Sequence, residues 1–226
     1  MPYPTDHRDK QRERIVQSAR KLFNRHGFNS VSIARIMAGA GLTHGTFYTY
    51  FDSKDDLYTK ALSCFFTDPN WKNNWDGVVI DPSKELGPQV VQAYLSPQHF
   101  DDIENSCPMV ALPSDVARGR PEAREAFEEV FNAMVTLLSR GASNKSAQTT
   151  ASAIAALCVG GMVVARAMAS RERADALRDS CREIAMKLGG WSKSGSSQKR
   201  GRAPFRSSNT AVPISVSRLA HRSRSS

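Results

Sequence analysis

Apolar residues recur at helical spacing through most of the chain, and the first helix that they predict lies near the N-terminus. Four of them follow the spacing i, i+4, i+7 and i+8: Ile15, Ala19, Leu22 and Phe23. This pattern predicts one amphipathic helix over residues 8–26, ended by Gly27. Residues 1–7 carry no such pattern, and we expect them to be disordered.

Two shorter helices are predicted in the stretch from Ser32 to Phe51, SIARIMAGAGLTHGTFYTYF. Ser32 is expected to cap a helix that runs to Ala40, since apolar residues at i, i+3 and i+4 give it a buried face. After a glycine-bearing turn, Thr43 is expected to cap a second helix that runs to about Tyr50. Two short helices joined in this way form a helix-turn-helix, which is a common DNA-reading unit.

The second of these helices has an apolar and a polar side. Phe47 and Phe51 are four residues apart and are predicted to face the core. The other side chains are predicted to project outward: His44, Thr46, Tyr48, Thr49 and Tyr50. Short polar and hydroxyl-bearing side chains suit base edges and phosphate oxygens. Half-burial of Tyr48 and Tyr50 within the fold is the alternative.

The pattern stays helical up to residue 190. Ser53 is predicted to cap a fourth helix over 54–66, and a polar loop over 67–82 marks a domain boundary at its start. Trp71 and Trp75 in that loop either cover a cavity or cover a helix end. Further helices are predicted over 87–95, 97–105, a segment from Cys107 that Pro113 splits, 121–139, 148–169 and 172–188.

The first 60 residues resemble the TetR (tetracycline repressor) family of transcriptional regulators. The resemblance rests on Arg14-Ile15-Val16, Ala19, Leu22-Phe23, Gly27-Phe28, Ile36 and the unbroken run from Gly41 to Leu57. It implies that His44, Gly45, Thr46, Tyr48 and Tyr50 contact DNA and that Lys54 contacts a backbone phosphate. Ser32, Thr43 and Thr49 complete the candidate DNA contacts. Ala34 replaces a longer polar side chain that many members carry, so we expect no base contact there.

The resemblance also gives an expectation for the C-terminal helices. In the family the last two long helices pair with those of a second subunit, which here are residues 148–169 and 172–188. The first is rich in small residues, including Gly160 and Gly161, which favours close approach of another helix. The second carries the apolar stripe Ala176, Leu177, Cys181, Ile184, Ala185 and Leu188. We therefore expect a homodimer, and a core helix in a monomer is the alternative.

A small-molecule effector site is expected in the same part of the chain. The segment that begins at Cys107, CPMVALPSDVARG, resembles one that lies near the effector cavity in a subset of the family. The candidate ligand-binding residues are Phe100, Cys107, Met109, Val110, Leu112, Phe127, Phe131 and Met134. They offer few polar groups, so the expected effector is apolar or amphipathic.

Charge and cysteine content narrow the range of partners. The net charge is +9, divided as +4 over residues 1–60, −3 over 61–190 and +8 over 191–226. Basic ends suit a polyanion such as DNA. The four cysteines form no C-x-x-C pair, and the N-terminus shows no apolar run of a signal peptide, so we expect a cytoplasmic protein with no membrane span. Residues 191–226, rich in serine and arginine, are predicted to be a disordered tail; its Lys199–Pro204 stretch loosely resembles an Arg-Gly-Arg-Pro hook.

The sequence carries no common motif of catalysis or cofactor binding. It contains no G-x-S-x-G, Walker loop, H-E-x-x-H or dinucleotide-binding glycine pattern, so an enzyme is a minor alternative and no cofactor is expected. Two further alternatives keep DNA binding. One is oxidation of Cys107, if its position before a helix lowers the pKa of the thiol; the other is a metal site from His99, Glu104 and Cys107.

The sequence thus predicts an all-α protein. Residues 1–66 are expected to form a three-helix helix-turn-helix DNA-binding domain with a linking fourth helix, and residues 67–190 a helical effector-binding and dimerisation domain. The expected function is that of a repressor released from a palindromic operator on double-stranded DNA by its effector.

Overall fold

The computed structural model describes residues 5–67, 80–139 and 145–191, and within these ranges the regular structure is entirely helical. The N-terminal elements are α1 Thr5–His26, α2 Ile33–Gly39, a 3₁₀ helix His44–Thr49 that we call the recognition helix, and α3 Lys54–Thr67. The all-α prediction is confirmed. Because α1 begins at Thr5, the expectation of disorder is wrong for residues 5–7, while residues 1–4 lie outside the described ranges.

Seven helices follow in the described C-terminal ranges. They are α4 Leu86–Tyr94, α5 Pro97–Asp101, α6 Pro108–Ala111, α7 Pro113–Arg118, α8 Pro121–Leu138, α9 Lys145–Arg166 and α10 Arg171–Leu188. Pro113 separates α6 from α7 as predicted, since a proline cannot donate the backbone bond that would continue α6. Trp71 and Trp75 lie outside the described residues.

The helix predicted to reach Asn105 ends earlier, at Asp101. Asp102 leaves the helical region of backbone space, and its carboxylate accepts a hydrogen bond from the backbone N–H of Asn105 at 3.0 Å. An aspartate that bonds the backbone ahead of it stabilises a turn in place of the next helical turn. The segment from residue 102 to Cys107 is therefore a turn that follows α5.

Buried apolar side chains form two clusters. The N-terminal cluster contains the buried faces of α1, α2, the recognition helix and α3, and it is completed by Leu112, Val116, Ala123 and Ala126. The C-terminal cluster joins α4, α6, α8, α9 and α10. The N-terminal cluster thus extends past residue 67, where the sequence places a boundary, and the division into 1–66 and 67–190 stays a prediction.

Three residues follow α10 in the described part of the chain. Gly190 takes a positive φ of 72°, which ends the helix after Leu188 as predicted. Trp191, assigned to the tail from the sequence, packs on the C-terminal cluster, and its backbone N–H donates to the Met186 carbonyl at 2.9 Å. The folded part therefore includes Trp191, and residues 192–226 lie outside the described ranges.

Helix α9 is apolar along much of its length. Ser146–Arg166 is long and apolar enough to cross a membrane, judged by length and composition alone. Core helices of soluble proteins are often equally long and apolar. Its buried side chains, among them Ile154, Cys158 and Met162, belong to the C-terminal cluster. We therefore treat α9 as a helix of the folded core.

Candidate functional site

The start of α2 is fixed by a side-chain cap. The Ser32 hydroxyl accepts a hydrogen bond from the Arg35 backbone N–H at 3.2 Å, which confirms the predicted cap. The Ser18 hydroxyl of α1 donates to the Ile36 carbonyl at 2.8 Å. Together with the buried Ile36 and Met37 side chains, this bond holds α2 against α1.

The turn after α2 requires a glycine at position 41. Gly41 has a φ of 69°, a conformation that side chains disfavour, and a Cβ there would lie 2.7 Å from an Arg14 guanidinium nitrogen. The Leu42 N–H donates to the Met37 carbonyl at 2.9 Å, which closes the turn. The chain leaves this turn in an extended conformation at Thr43 and enters the recognition helix.

The recognition helix has the two sides that the sequence predicts, although it is a 3₁₀ helix. Phe47 is fully buried and Phe51 is 2% exposed, so both anchor the helix to the N-terminal cluster. Tyr48 is 64% exposed, whereas Tyr50 is half-buried. The remaining candidate residues are exposed: Thr43, His44, Gly45, Thr46 and Thr49.

Several of these residues also bond within the chain. The predicted side-chain cap by Thr43 is wrong: its hydroxyl makes no capping bond, and its carbonyl instead accepts from the Thr46 hydroxyl at 2.8 Å. The Tyr50 hydroxyl donates to the Gln11 side chain, and Arg8 donates to the Thr49 carbonyl at 2.9 Å. The N-terminal half of α1 therefore holds the end of the recognition helix.

Lys54 lies at the start of α3 but points back into the protein. Its ammonium donates to the Phe28 carbonyl at 2.6 Å and sits 4.2 Å from the centre of the Phe28 ring. Partial burial lowers the pKa of this lysine, while nearby Asp55 acts in the opposite direction. An ammonium has three donors, so the phosphate contact stays a prediction that would have to use the two left over.

An open cleft of about 480 Å³ lies between α1 and the end of α2. Its charged side chains are Lys10, Arg14 and Lys21 with Glu13 as the one acid among them. It lies beside the turn that leads into the recognition helix, because Ala40 is part of its wall. The cleft adds net positive charge to this side of the DNA-reading unit.

The candidate ligand-binding residues lie close together, with one exception. Cys107, Met109, Val110 and Met134 are buried in the C-terminal cluster, and Phe100, Phe127 and Phe131 pack against it. Leu112, the residue at which α6 ends and α7 begins, leaves the helical face of α6 and belongs to the N-terminal cluster instead. The grouping is compatible with an effector site, and the role of each residue stays a prediction.

The C-terminal part contains a set of hydrogen-bonded polar groups that no sequence pattern predicted. The His99 ring accepts the Cys107 backbone N–H at Nε2, at 3.3 Å, so its proton lies on Nδ1, which faces the Tyr94 carbonyl at 2.7 Å. Burial lowers the pKa of His99 to about 4, and the charge of Arg166 adds to the decrease. Arg166 itself donates to the carbonyls of Phe100 and Asp102 at 3.2 and 3.3 Å.

A second arginine is enclosed beside this set. Arg178 is 2% exposed, donates to the Leu95 carbonyl at 2.9 Å and pairs with Asp175. Its guanidinium and that of Arg171 each lie 4.7 Å from the centre of the Phe100 ring. Arg178 follows the helical spacing of the buried stripe Ala174, Cys181 and Ala185, and this is the only sequence signal that could have indicated its burial.

Neither the thiol nor the metal alternative finds the geometry it needs. Burial raises the pKa of Cys107 to about 11, so the expectation of a lowered pKa is wrong. Among the described residues no three histidine, cysteine or acidic side chains are placed to hold a metal. Both nitrogens of His99 already have partners, and the Glu104 carboxylate pairs with Arg25 at 2.7 Å.

The geometry of α2, the turn and the recognition helix defines a helix-turn-helix DNA-binding unit on an all-helical scaffold. Residues 15–61 match the family described as bacterial regulatory proteins, tetR family. This range holds α2, the recognition helix and the first half of α3. Residues 15–61 are therefore a TetR-family DNA-binding domain, and the family inferred from the sequence is confirmed.

Relatives among curated proteins match over a short stretch of the chain. The HTH-type transcriptional regulator YuxN of Bacillus subtilis (strain 168) is 36% identical over 58 residues, which cover 25% of this chain and 20% of YuxN. YdgC of the same organism is 32% identical over 54 residues, which cover 24% of this chain and 28% of YdgC. The chain thus matches only about a quarter of the length of these relatives.

Solved structures match over most of the described chain. Escherichia coli NemR in its reduced form has a TM-score of 0.63 at 18% identity and covers 78% of this chain and 95% of its own. A TetR-family regulator from Agrobacterium tumefaciens has a TM-score of 0.56 at 23% identity over 78% and 98%. The multidrug binding protein EbrR complexed with imidazole gives 0.57 at 21% over 83% and 94%. These similarities confirm the fold, a helix-turn-helix domain followed by a helical domain.

Proposed function

We propose that this protein is a homodimeric repressor that reads a palindromic operator and is released by a small apolar or amphipathic effector. The observation that carries the proposal is the recognition helix, which buries Phe47 and Phe51 and leaves a polar face exposed. A polar face held on a packed three-helix core is what major-groove reading requires. The TetR-family match over residues 15–61 supports the same reading.

Within this proposal, the exposed side chains divide the work on DNA. His44 and Tyr48 project from the recognition helix and are the candidates for base edges. Tyr50 and Lys54 are tied to Gln11 and Phe28, and they are the candidates for positioning on phosphates. The basic side chains of the cleft between α1 and α2 add attraction that does not depend on base sequence.

The proposed dimer uses the outer faces of α9 and α10. Val164, Ile184 and Leu188 are 50%, 47% and 50% exposed. Apart from its own helix, Gly160 has no atom of a described residue within 4 Å of where a Cβ would lie. Apolar side chains exposed on two adjacent helices favour association with a second copy. A two-fold dimer would place two recognition helices about one turn of DNA apart.

The proposed effector site lies in the C-terminal cluster, around Phe100, Met109, Phe131 and Met134. An effector that prefers one arrangement of this cluster would shift the dimer away from the DNA-binding conformer by its differential binding free energy. A cytoplasmic location is part of the same proposal. Thiol oxidation is less favoured, since burial raises the pKa of Cys107.

The test starts by selecting duplexes from a random pool with the wild-type protein. Dissociation constants are then measured for the selected duplex and a scrambled one. His44→Ala should reduce the discrimination between the two by about 1–3 kcal/mol, because one base contact is lost. Lys54→Gln should weaken both duplexes equally, and Lys84→Gln, which removes the same charge far from the recognition helix in sequence, should change neither.

Failure to select any sequence from the pool would contradict the DNA-reading function. A loss of discrimination in Lys54→Gln with none in His44→Ala would reverse the assigned roles. A thermal-shift screen of apolar and amphipathic compounds, followed by release of the selected duplex, tests the effector. A compound that the protein converts to a product would support an enzyme instead.

A further inference from the structure

The C-terminal end of α1 is bonded to the turn that follows α5. Asn24 is 8% exposed, and its amide nitrogen donates to the carbonyls of Glu104 and Ser106 at 3.1 and 2.8 Å. These partners lie about 80 residues further along the chain. One side chain of the DNA-binding domain thus holds two backbone groups of the C-terminal part.

Two more contacts join the same surfaces. The Phe28 backbone N–H donates to the Asp115 carboxylate at 2.9 Å, and a Cβ on Gly27 would lie 2.9 Å from the same oxygen. Gly27 has a φ of 75°, so a glycine is needed here both for the backbone and for the carboxylate. The ion pair between Arg25 and Glu104 is exposed on both sides and contributes little.

From the other side, the turn is fixed to the C-terminal core. The Ser106 hydroxyl lies 3.0 Å from His99 Nε2, which also accepts the Cys107 backbone N–H. His99 is held in turn by the Tyr94 carbonyl of α4. Arg166 of α9 donates to the Phe100 carbonyl before the turn and to the Asp102 carbonyl at its start. A shift of α4 or α9 would therefore move the carbonyls that Asn24 binds.

The opposite end of α1 touches the recognition helix. Arg8 bonds the Thr49 carbonyl and Gln11 bonds the Tyr50 hydroxyl. Helix α1 has 22 residues with no glycine or proline, so it is a rigid rod, and the two contact regions are separated by about 20–24 Å. Its two ends are therefore mechanically connected.

We propose that Asn24 is a positioning residue that couples the core around His99 to the recognition helix through α1. This route is separate from α3, the covalent link between the two parts of the chain. The proposal rests on the proposed function for its biological role, because it is the orientation of the recognition helix that Asn24 would set. The contact itself is a property of the single chain.

The first measurement is a distance within one chain, in the full-length protein. Nitroxide labels at Lys21→Cys on α1 and Glu128→Cys on α8, both exposed, report the orientation in a Cys64→Ser background. Asn24→Ala should shift the mean distance by at least about 2 Å or broaden its distribution. Asn24→Asp, which keeps the shape but has no donor when ionised, should do the same. Arg25→Ala, which breaks only the exposed ion pair, should leave the distance unchanged.

The second measurement is affinity for the selected duplex at constant protein concentration. Loss of the two hydrogen bonds of Asn24 should weaken the affinity for the selected duplex about tenfold, because fewer molecules then hold the binding-competent orientation. Two controls distinguish this effect from a simple loss of folding stability. They are the thermal unfolding midpoint of the variant and its affinity for the scrambled duplex, which should not change. Ser106→Ala, which keeps the backbone carbonyl but removes the hydroxyl facing His99, should give a smaller change in the same direction.

The outcomes separate the two proposals. Unchanged distances together with unchanged operator affinity in folded Asn24 variants would overturn the role of Asn24. Altered distances in a protein that selects no DNA sequence would uphold the connection and overturn the proposed function. If Asn24→Ala fails to fold, the Asn24→Asp and Ser106→Ala distances decide, and wild-type distances in both would count against the proposal.

Discussion

The recognition helix and the interior of the C-terminal part differ in where they place their polar groups. The recognition helix is anchored to the N-terminal cluster by Phe47 and Phe51, and Tyr50 after it packs partly on the same cluster, while the other polar side chains of the helix lie outward. The C-terminal part instead encloses polar groups. His99 bonds the Tyr94 carbonyl and the Cys107 backbone N–H, the Ser106 hydroxyl faces the His99 ring, and Arg178 donates to the Leu95 carbonyl. The first arrangement presents a surface to a partner, whereas the second fixes the relative positions of helices, and its bonds depend on burial.

The strongest expected effect on this contrast comes from pH. The pKa of His99 is about 4 in the folded state and 6.5 when exposed. Between pH 4 and pH 6.5, His99 is therefore protonated in the unfolded chain and neutral in the folded chain. Stability from this group is therefore fully present above pH 6.5 and is lost as pH falls toward 4, by up to about 3 kcal/mol. Urea unfolding at several pH values should show the loss.

The control for this prediction is His99→Gln, measured over the same pH range. Carboxylates also titrate there, so the difference between wild type and variant isolates the histidine. The variant should be less stable at pH 7 and should show a flatter pH dependence. If stability fell equally with pH in both proteins, folding would leave the pKa of His99 unchanged.

A second prediction compares two neighbouring glycines of α9. A Cβ on Gly161 would lie 2.7 Å from Cys181 Sγ, whereas one on Gly160 would meet no described atom outside its own helix within 4 Å. Gly161→Ala should therefore cost about 1–3 kcal/mol of folding stability, while Gly160→Ala should be neutral or stabilising by up to about 1 kcal/mol. Denaturation at equal protein concentrations measures both.

Substitutions at Gly160 and Gly161 can also distinguish an effect on folding stability from an effect on dimer formation. Gly160→Leu should leave the fold intact but weaken the proposed dimer in sedimentation, because the exposed face becomes bulkier. Cys181→Ala removes the closest atom, so the double variant with Gly161→Ala should lose less stability than the two single losses added. Additive losses would show that this contact is not the reason for the glycine.

The smallest expected effect lies in the N-terminal region and concerns its two helix starts. Ser32→Ala removes a capping hydrogen bond and should cost about 1 kcal/mol. Thr43→Ala removes a hydroxyl that caps nothing and should stay within about 0.5 kcal/mol. Thermal unfolding of the two variants decides; an equal loss would mean that Thr43 stabilises the recognition helix in another way.

The N-terminal region could be predicted closely because its signals are local. Residues within about one helical turn determine the Ser32 cap, the C-terminal ends of α1 and α2, and the inward placement of Phe47 and Phe51. The 3₁₀ geometry was not predicted, because Phe47 and Phe51 are four residues apart, a spacing that favours an α-helix. The predicted side-chain cap was wrong because the Thr43 hydroxyl makes no capping bond, while the Thr43 carbonyl accepts from the Thr46 hydroxyl.

The interior of the C-terminal part could be predicted only as a set of apolar faces. The partners of Asn24 and Arg178 are about 80 residues away, at 82 and 83 positions for Ser106 and Leu95, and no periodicity indicates such pairs. The polar lining of the candidate effector core was underestimated accordingly. Leu112 and Trp191 changed assignment because packing, not spacing, decides which cluster they join.

The late members of the N-terminal cluster affect how the chain folds as it is synthesised. Leu112, Val116, Ala123 and Ala126 cover apolar surface on α1 and α3, and they leave the ribosome long after these helices. Until residue 126 has emerged, the nascent N-terminal domain exposes surface that the finished protein buries, and such species are prone to aggregation. A fragment that ends at residue 66 keeps this exposed surface permanently.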